Sequence, residues 1–342
     1  VTAMEDVTMV GMRDVAKKAG VSASSVSLVI NGTGYVSDDM RKRVESAMRE
    51  LNYVPNELAR HFYRGRTGIV GVIVPTIRHP FFSTLTSALQ HEFASRGLRT
   101  MLCSTADVEG GESQYVDMLR QHSLDALVVA AHTVHDAEYW SSIHRPIIAF
   151  DRYLGGDIAQ VSSDHEQGGR LLADLLLRTG AKRVVMVGGP RSQFDDLGEG
   201  RTTFPTVRYV KTLEQRLDEA HIRHDYFEAG EVNDTEGIHP AVIRAFKECP
   251  RMDAFIGSDV AAAFAVQEAR LRGINVPKKL QVIAYDGTMV ADFAGLPMTV
   301  VQQDFTKIAA AIGERVEAQI DDDERVRDAL IPVTLRESAT TR

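Results

Sequence analysis

The segment from Met12 to Asn31 spells a helix, a glycine turn and a second helix, an order that few small folds accept. Met12, Val15, Ala16 and Ala19 recur at helical spacing, and Gly20 stands where the chain must reverse. Ser22 is placed as an N-cap for a helix whose Val26, Val29 and Ile30 face inward and whose other face offers Ala23, Ser24, Ser27 and Leu28. This is the helix-turn-helix plan, whose second helix lies in the major groove; an ordinary helical hairpin is the plainer alternative. A third helix follows Ser37, with Asp38 and Asp39 at its positive end and an apolar stripe of Val44, Ala47, Met48 and Leu51. Pro55 is suited to open a further short helix, and Gly65 and Thr67 close that segment before a strand begins.

Asp14-Val15-Ala16, Ala19-Gly20-Val21-Ser22, Val26-Ser27, Asn31, Val36-Ser37, Arg43-Val44 and Leu51-Asn52-Tyr53-Val54-Pro55-Asn56 form a long ordered string. On these residues Met12–Arg66 resembles the DNA-binding headpiece of the lactose-repressor (LacI/GalR) family of bacterial transcription regulators. A looser similarity runs on to the C-terminus. The resemblance implies a three-helix helix-turn-helix headpiece over residues 11–55 and a hinge helix and linker over 56–66. An α/β effector-binding and dimerisation core follows over 67–342. That core is expected to be two-lobed and periplasmic-binding-protein-like with parallel sheets, lobe one spanning about 67–163 and 304–331 and lobe two about 164–303 and 332–342. It also implies base reading by Ala23, Ser24 and Leu28 and phosphate contacts from Ser22 and Ser27, with Asn31, Asn56 and Ala59 as further DNA contacts. The family commonly carries arginine at the position of Leu28.

Leu58 and Phe62 share one apolar face as a helix, and ten residues are marginal as a helix in water, so this segment is expected to form paired with its dimer mate on DNA. In the resembling family a leucine at the position of Phe62 wedges between base pairs of the minor groove; phenylalanine is a workable wedge. A plain interdomain linker is the other reading.

The chain holds 39 Lys+Arg against 47 Asp+Glu, an acidic balance at odds with DNA binding until it is divided by region. Residues 11–66 carry ten basic side chains against six acidic ones, a balance of +4. With Glu5 and Asp6 ahead of them and −8 for the whole chain, −10 remains for residues 67–342. A basic head on an acidic body suits a phosphate-binding module joined to a regulatory domain, although a solvated charged surface gives the same count. Cys103 and Cys249 have no metal-ligand spacing and read as reduced packing residues, so neither metal nor cofactor is expected. No apolar run approaches the ~20 residues of a membrane span, and the N-terminus lacks the layout of a secretory signal, which places the expected protein in the cytoplasm.

From residue 68 strand and helix alternate, as in parallel α/β proteins. Strands are expected at Ile69–Val74, Arg99–Ser104, Ala126–Ala131, Pro146–Asp151, Val184–Gly188, Ala254–Gly257 and Gln281–Tyr285, with a helix over Phe81–Ser95. Ligands of such sheets bind beyond the carboxyl ends of strands, where His79, His132, Asp151-Arg152, Ser258-Asp259 and Tyr285-Asp286 fall. In the resembling family Arg78-His79-Pro80-Phe81-Phe82 matches the loop before the first core helix, with asparagine usual at His79. Phe150-Asp151-Arg152 matches the sugar-contacting Asp-Arg, Ser258, Asp259 and Asp286 match further pocket positions, and Gln303-Asp304-Phe305 matches a crossover. The family's arginine four residues before an aromatic aligns here with Pro205, with Arg201 and Arg208 as candidates to take its place. Asp259 reads equally well as a helix cap, and Phe81 and Phe82 as core.

The expectation is a homodimeric repressor that binds a pseudo-palindromic operator and responds to a small effector, a sugar or related metabolite. A sensor or transport protein on the same core is the alternative. An enzyme is not expected: Gly188-Gly189-Pro190 is no Gly-x-Gly-x-x-Gly loop, and no Gly-x-Ser-x-Gly elbow is present.

Overall fold

The computed structural model describes residues 10–32, 34–54, 65–106, 108–133, 135–136, 138–194, 204, 206–322 and 327–342. The hinge residues Asn56, Ala59 and Phe62, and Arg201 and Pro205 of the later loop, lie outside the described residues. The chain divides into two compact units, Val1–Thr67 and Gly68–Arg342.

In the first unit, α1 (Met12–Ala19), α2 (Ala23–Asn31) and α3 (Asp38–Glu50) close on one small core of Val15, Ala16, Ala19, Val26, Val29, Val44 and Ala47. Each start has a local cause. Asp14 Oδ2 accepts the Gly11 amide at 2.8 Å, Ser22 Oγ accepts Ser25 N at 3.1 Å, and Ser37 Oγ accepts Met40 N at 3.3 Å. Gly20 ends α1 at φ +66°, a left-handed conformation that glycine adopts without the penalty a Cβ brings.

The second unit holds two sheets. The first contains β1 (Ile69–Val74), β2 (Arg99–Ser104), β3 (Ala126–Val129), β4 (Ile147–Phe150), β5 (Ala159–Ser163) and β11 (Ala329–Ile331), in the order β11-β5-β4-β3-β1-β2, all parallel. The second contains β6 (Arg183–Gly188), β7 (Arg223–Glu228), β8 (Ala254–Ser258), β9 (Gln281–Asp286), β10 (Thr299–Gln302) and β12 (Thr334–Arg336), in the order β12-β10-β9-β8-β6-β7.

Both faces of each sheet are covered, so side chains alternate between two cores. Val70, Val72 and Val74 point to the core under α4 (Pro80–Ser95) and α12 (Phe305–Ile320), and Ile73 to the opposite core with Leu119 of α5 (Gly111–Arg120) and Trp140 of α6 (Glu138–Ser141). In the second lobe Val185 and Val187 share a core with α9 (Ile238–Glu248), α10 (Asp259–Leu271) and α11 (Val290–Phe293), whereas Val184 and Met186 face α7 (His165–Arg178) and α8 (Val207–Glu219).

The chain crosses between lobes between β5 and α7, between β10 and α12, and between β11 and β12. The last crossing explains the one departure from parallel pairing among the described residues. Both sheets point their carboxyl ends at the cleft, so a strand passing straight from the first lobe enters the second from the cleft side. It runs the other way, and β12 pairs antiparallel with β10.

Candidate functional site

In each sheet consecutive strands leave in opposite directions from one point: between β1 and β3 in the first, and between β6 and β8 in the second. Ligands of open α/β sheets bind at such switch points. The two face each other across a cavity of about 180 Å³ that takes residues from both lobes, with His79, Phe82, His132 and Asp151 on one side and Gly188, Tyr209, Ser258 and Asp286 on the other.

His79 is the N-cap of α4. Its Nδ1 accepts the Phe81 amide at 3.3 Å, and burial lowers its pKa to about 4, so the ring is neutral. His132, held edge-on between Phe82 and Phe204, is also neutral: burial first, then the Arg152 and His79 charges, bring its pKa to about 3.

Asp151 sits at φ +46°, where the chain turns after β4, and its carboxyl is buried. Oδ1 accepts Ser162 Oγ at 2.6 Å and Ser163 N at 3.1 Å, and His165 Nε2 lies 3.1 Å away. His165 Nδ1 pairs with the Tyr285 hydroxyl at 2.8 Å, and Tyr285 stacks on Tyr209 at 3.9 Å between ring centres. A connected path thus runs from the carboxylate of one lobe to an aromatic wall of the other.

A second path runs through the crossover. Ser163 Oγ donates to Gln303 Oε1 at 2.6 Å, and Gln303 Nε2 donates to Asp286 Oδ1 at 3.1 Å. Burial, then the Asp259 charge, raises the pKa of Asp286 well above the carboxylate range.

Seven of the expected pocket residues meet in this cavity: His79, Phe81, Phe82, Asp151, Ser258, Asp286 and Gln303. Arg152 and Asp259 do not line it. Arg152 turns the other way, donates to the Thr133 carbonyl at 2.6 Å and lies 4.0 Å over the Phe204 ring. Asp259, at the first position of α10, accepts Gly287 N at 3.3 Å and Thr288 N at 2.5 Å. It builds the turn that presents Asp286, and burial raises its pKa to about 6. In the sequence Tyr209 serves only as the aromatic that aligns Pro205, and Tyr226 and His165 are passed over. His165 and Tyr209 stand in the first turns of helices, a signal shared by many helices with no part in a site, and Tyr226 lies in the polar strand β7.

On α2, Ser22, Ala23, Ser24 and Leu28 are exposed together, while Val26 and Val29 are buried beneath them. Asn31 Nδ2 donates to Ser27 Oγ at 3.1 Å on the same helix. The face is small, uncharged and open to solvent. Among the described residues no His, Cys, Asp and Glu group is arranged for a metal ion, and no helix is long and apolar enough to cross a membrane.

The two units therefore define a class: a helix-turn-helix module in one chain with a two-lobed ligand-binding core. Comparison with known proteins agrees. The lacI family of bacterial regulatory proteins matches residues 11–56, and the periplasmic binding protein-like domain matches 173–341. The chain is 30% identical over 325 residues to a sucrose operon repressor of Streptococcus mutans, covering 95% of this chain and 97% of that one. It is 30% identical over 305 residues to a ribose operon repressor of Halalkalibacterium halodurans, covering 88% of each. Its fold matches the lac repressor dimer bound to operator and the anti-inducer ONPF with a TM-score of 0.81 at 22% identity, over 97% of this chain and 99% of that one. The chain belongs to the lacI family of bacterial regulatory proteins: it is a DNA-binding transcriptional repressor regulated by a small-molecule effector.

Proposed function

We propose that this repressor holds a hydroxylated, non-anionic effector of the sugar class between its lobes and couples that binding to release of its operator. The observation that carries this reading is the pairing of Asp151 and Asp286 from opposite lobes across one aromatic cavity. Carboxylates accept hydroxyl protons, the rings of Phe81, Phe82 and Tyr226 offer faces for C–H surfaces, and the neutral His79 and His132 add no cation. A sugar phosphate would bring its charge into a cavity whose described lining holds no lysine or arginine to meet it. Related repressors are named for sucrose and ribose operons, which supports the class.

On the DNA side, Ala23, Ser24 and Leu28 read bases and Ser22, Ser27 and Asn31 fix the helix on the backbone, with Asn56, Ala59 and Phe62 of the hinge in the minor groove. The repressor acts as a homodimer on a pseudo-palindromic operator in the cytoplasm and catalyses no reaction. The exposed Leu271, Met289 and Phe293 are large apolar side chains suited to burial against a second copy.

The test is a thermal-shift screen of neutral sugars followed by gel-shift titration of a selected operator with each ligand that raises Tm. A ligand that stabilises the protein and alters operator affinity is expected. Stabilisation by sugar phosphates alone would overturn the assignment.

A further inference from the structure

The charge balance of the cavity points beyond a neutral sugar. Asp151 is 6% exposed, and its Oδ1 is already engaged by Ser162 and Ser163, with His165 Nε2 3.1 Å from the same oxygen. Its Oδ2 is enclosed and has no hydrogen-bond partner. Asp286 lines the same cavity from the other lobe, with one oxygen taken by Gln303. The described lining includes no lysine or arginine, and the adjacent Arg152 is turned to Thr133 and Phe204. The two histidines in the wall are neutral. A buried carboxylate oxygen left without a donor is costly; a hydroxyl would satisfy its lone pair, and an ammonium would satisfy it and add a positive charge where the wall offers none.

Resting on the reading of this cleft as the effector site, we infer that the effector is an amino sugar whose ammonium group pairs with Asp151 Oδ2 while its hydroxyls reach Asp286. An ammonium supplies both charge and donors, and charge-assisted bonds are about twice as strong as neutral ones. The aromatic wall adds to this: Phe82 and Tyr209 are ring faces of the kind that attract cations.

The test is calorimetric titration of the full chain with matched sets: glucosamine, galactosamine and mannosamine, their hydroxyl twins, and their N-acetyl forms, together with the glucosamine disaccharide against cellobiose. One amine is expected to bind about tenfold or more tighter than both its hydroxyl twin and its N-acetyl form. Asp151→Asn keeps an oxygen for Ser162 and Ser163 but presents an amide to the cavity, and is expected to erase that preference. Circular dichroism melting confirms that the variant is folded, and Asp286→Asn gives a second variant should it not be. Equal or tighter binding of the hydroxyl twin or N-acetyl form overturns the amine and leaves the sugar-class reading standing, as does a preference that survives Asp151→Asn. Failure of every compound to bind overturns both.

Discussion

His79 carries two duties that oppose each other as pH falls. Its Nδ1 must stay unprotonated to accept the Phe81 amide, and burial lowers its pKa to about 4 from 6.5. The unfolded chain therefore takes up this proton first, so stability is lost as pH drops from about 6.5 toward 4 and is intact above that window. At pH 5 the cost from this one ring is about 2 kcal/mol. His79→Asn keeps a capping acceptor and removes the titration, so the difference in Tm between pH 7 and pH 5 should shrink. An undiminished acid loss would place the titration elsewhere. Gly168 gives a steric test of the buried path. A Cβ there would come within 2.5 Å of the Tyr285 hydroxyl, which is bonded to His165. Gly168→Ala should cost about 1–3 kcal/mol by overpacking, read as a lowered urea midpoint; an unchanged midpoint would show that Tyr285 yields without cost.

The elements differ in how plainly the chain announces them. Two strands were legible in full: Ile69–Val74, inside its sheet, and Arg99–Ser104, at its edge, are found with the bounds their sequence pattern and turn residues gave. The other edge strands and the crossover strand β5 were not. β7 reads Arg-His-Asp-Tyr-Phe-Glu, β5 is Ala-Gln-Val-Ser-Ser, and β11 and β12 have three residues each. Such strands are fixed by a neighbour far along the chain, Ala329 by Val161 and Val300 by Arg336, which no local pattern displays. Ala126–Ala131 was read too long for the same reason, since Ala130 and Ala131 are buried beyond the strand's end at Val129, where the chain turns into the cavity. The recognition helix is the opposite case, because its capping serine, buried valines and open face all lie within ten residues. Its Leu28 yields a prediction. Leucine cannot make the two-pronged contact with guanine that arginine makes, so Leu28→Arg should shift the selected half-site toward guanine at one base by about 1–3 kcal/mol. Binding-site selection on both proteins checks this, and identical logos would remove Leu28 from the base-reading set.

In the whole molecule, the site depends on residues that the chain places far apart. Asp151 and Asp286 were legible as polar residues at strand ends, but their convergence was not, because it arises only when two lobes are tied together at the crossovers. Gln303 is the clearest tie: it receives Ser163 from one crossing and gives its amide to Asp286 in the second lobe. Gln303→Leu fills similar space without polar atoms and leaves two polar groups stranded, at a cost of about 1–3 kcal/mol in core stability. With Asp286 no longer held, more effector should be needed to change operator affinity. Gln303→Glu separates this tie from simple packing. At neutral pH it buries a new charge beside Asp286, which burial and Asp259 hold well above its usual pKa and so in the protonated form. Removing that charge from water costs more than the polar groups stranded by Gln303→Leu, so this variant should be the less stable of the two at pH 7. As pH falls the introduced carboxyl is neutralised while still bonded to Ser163 and Asp286, so the order of the two variants should reverse toward pH 5. Thermal melts of both variants from pH 7.5 to 5 read this directly. Parallel profiles would mean that Gln303 fills space and does not join the lobes.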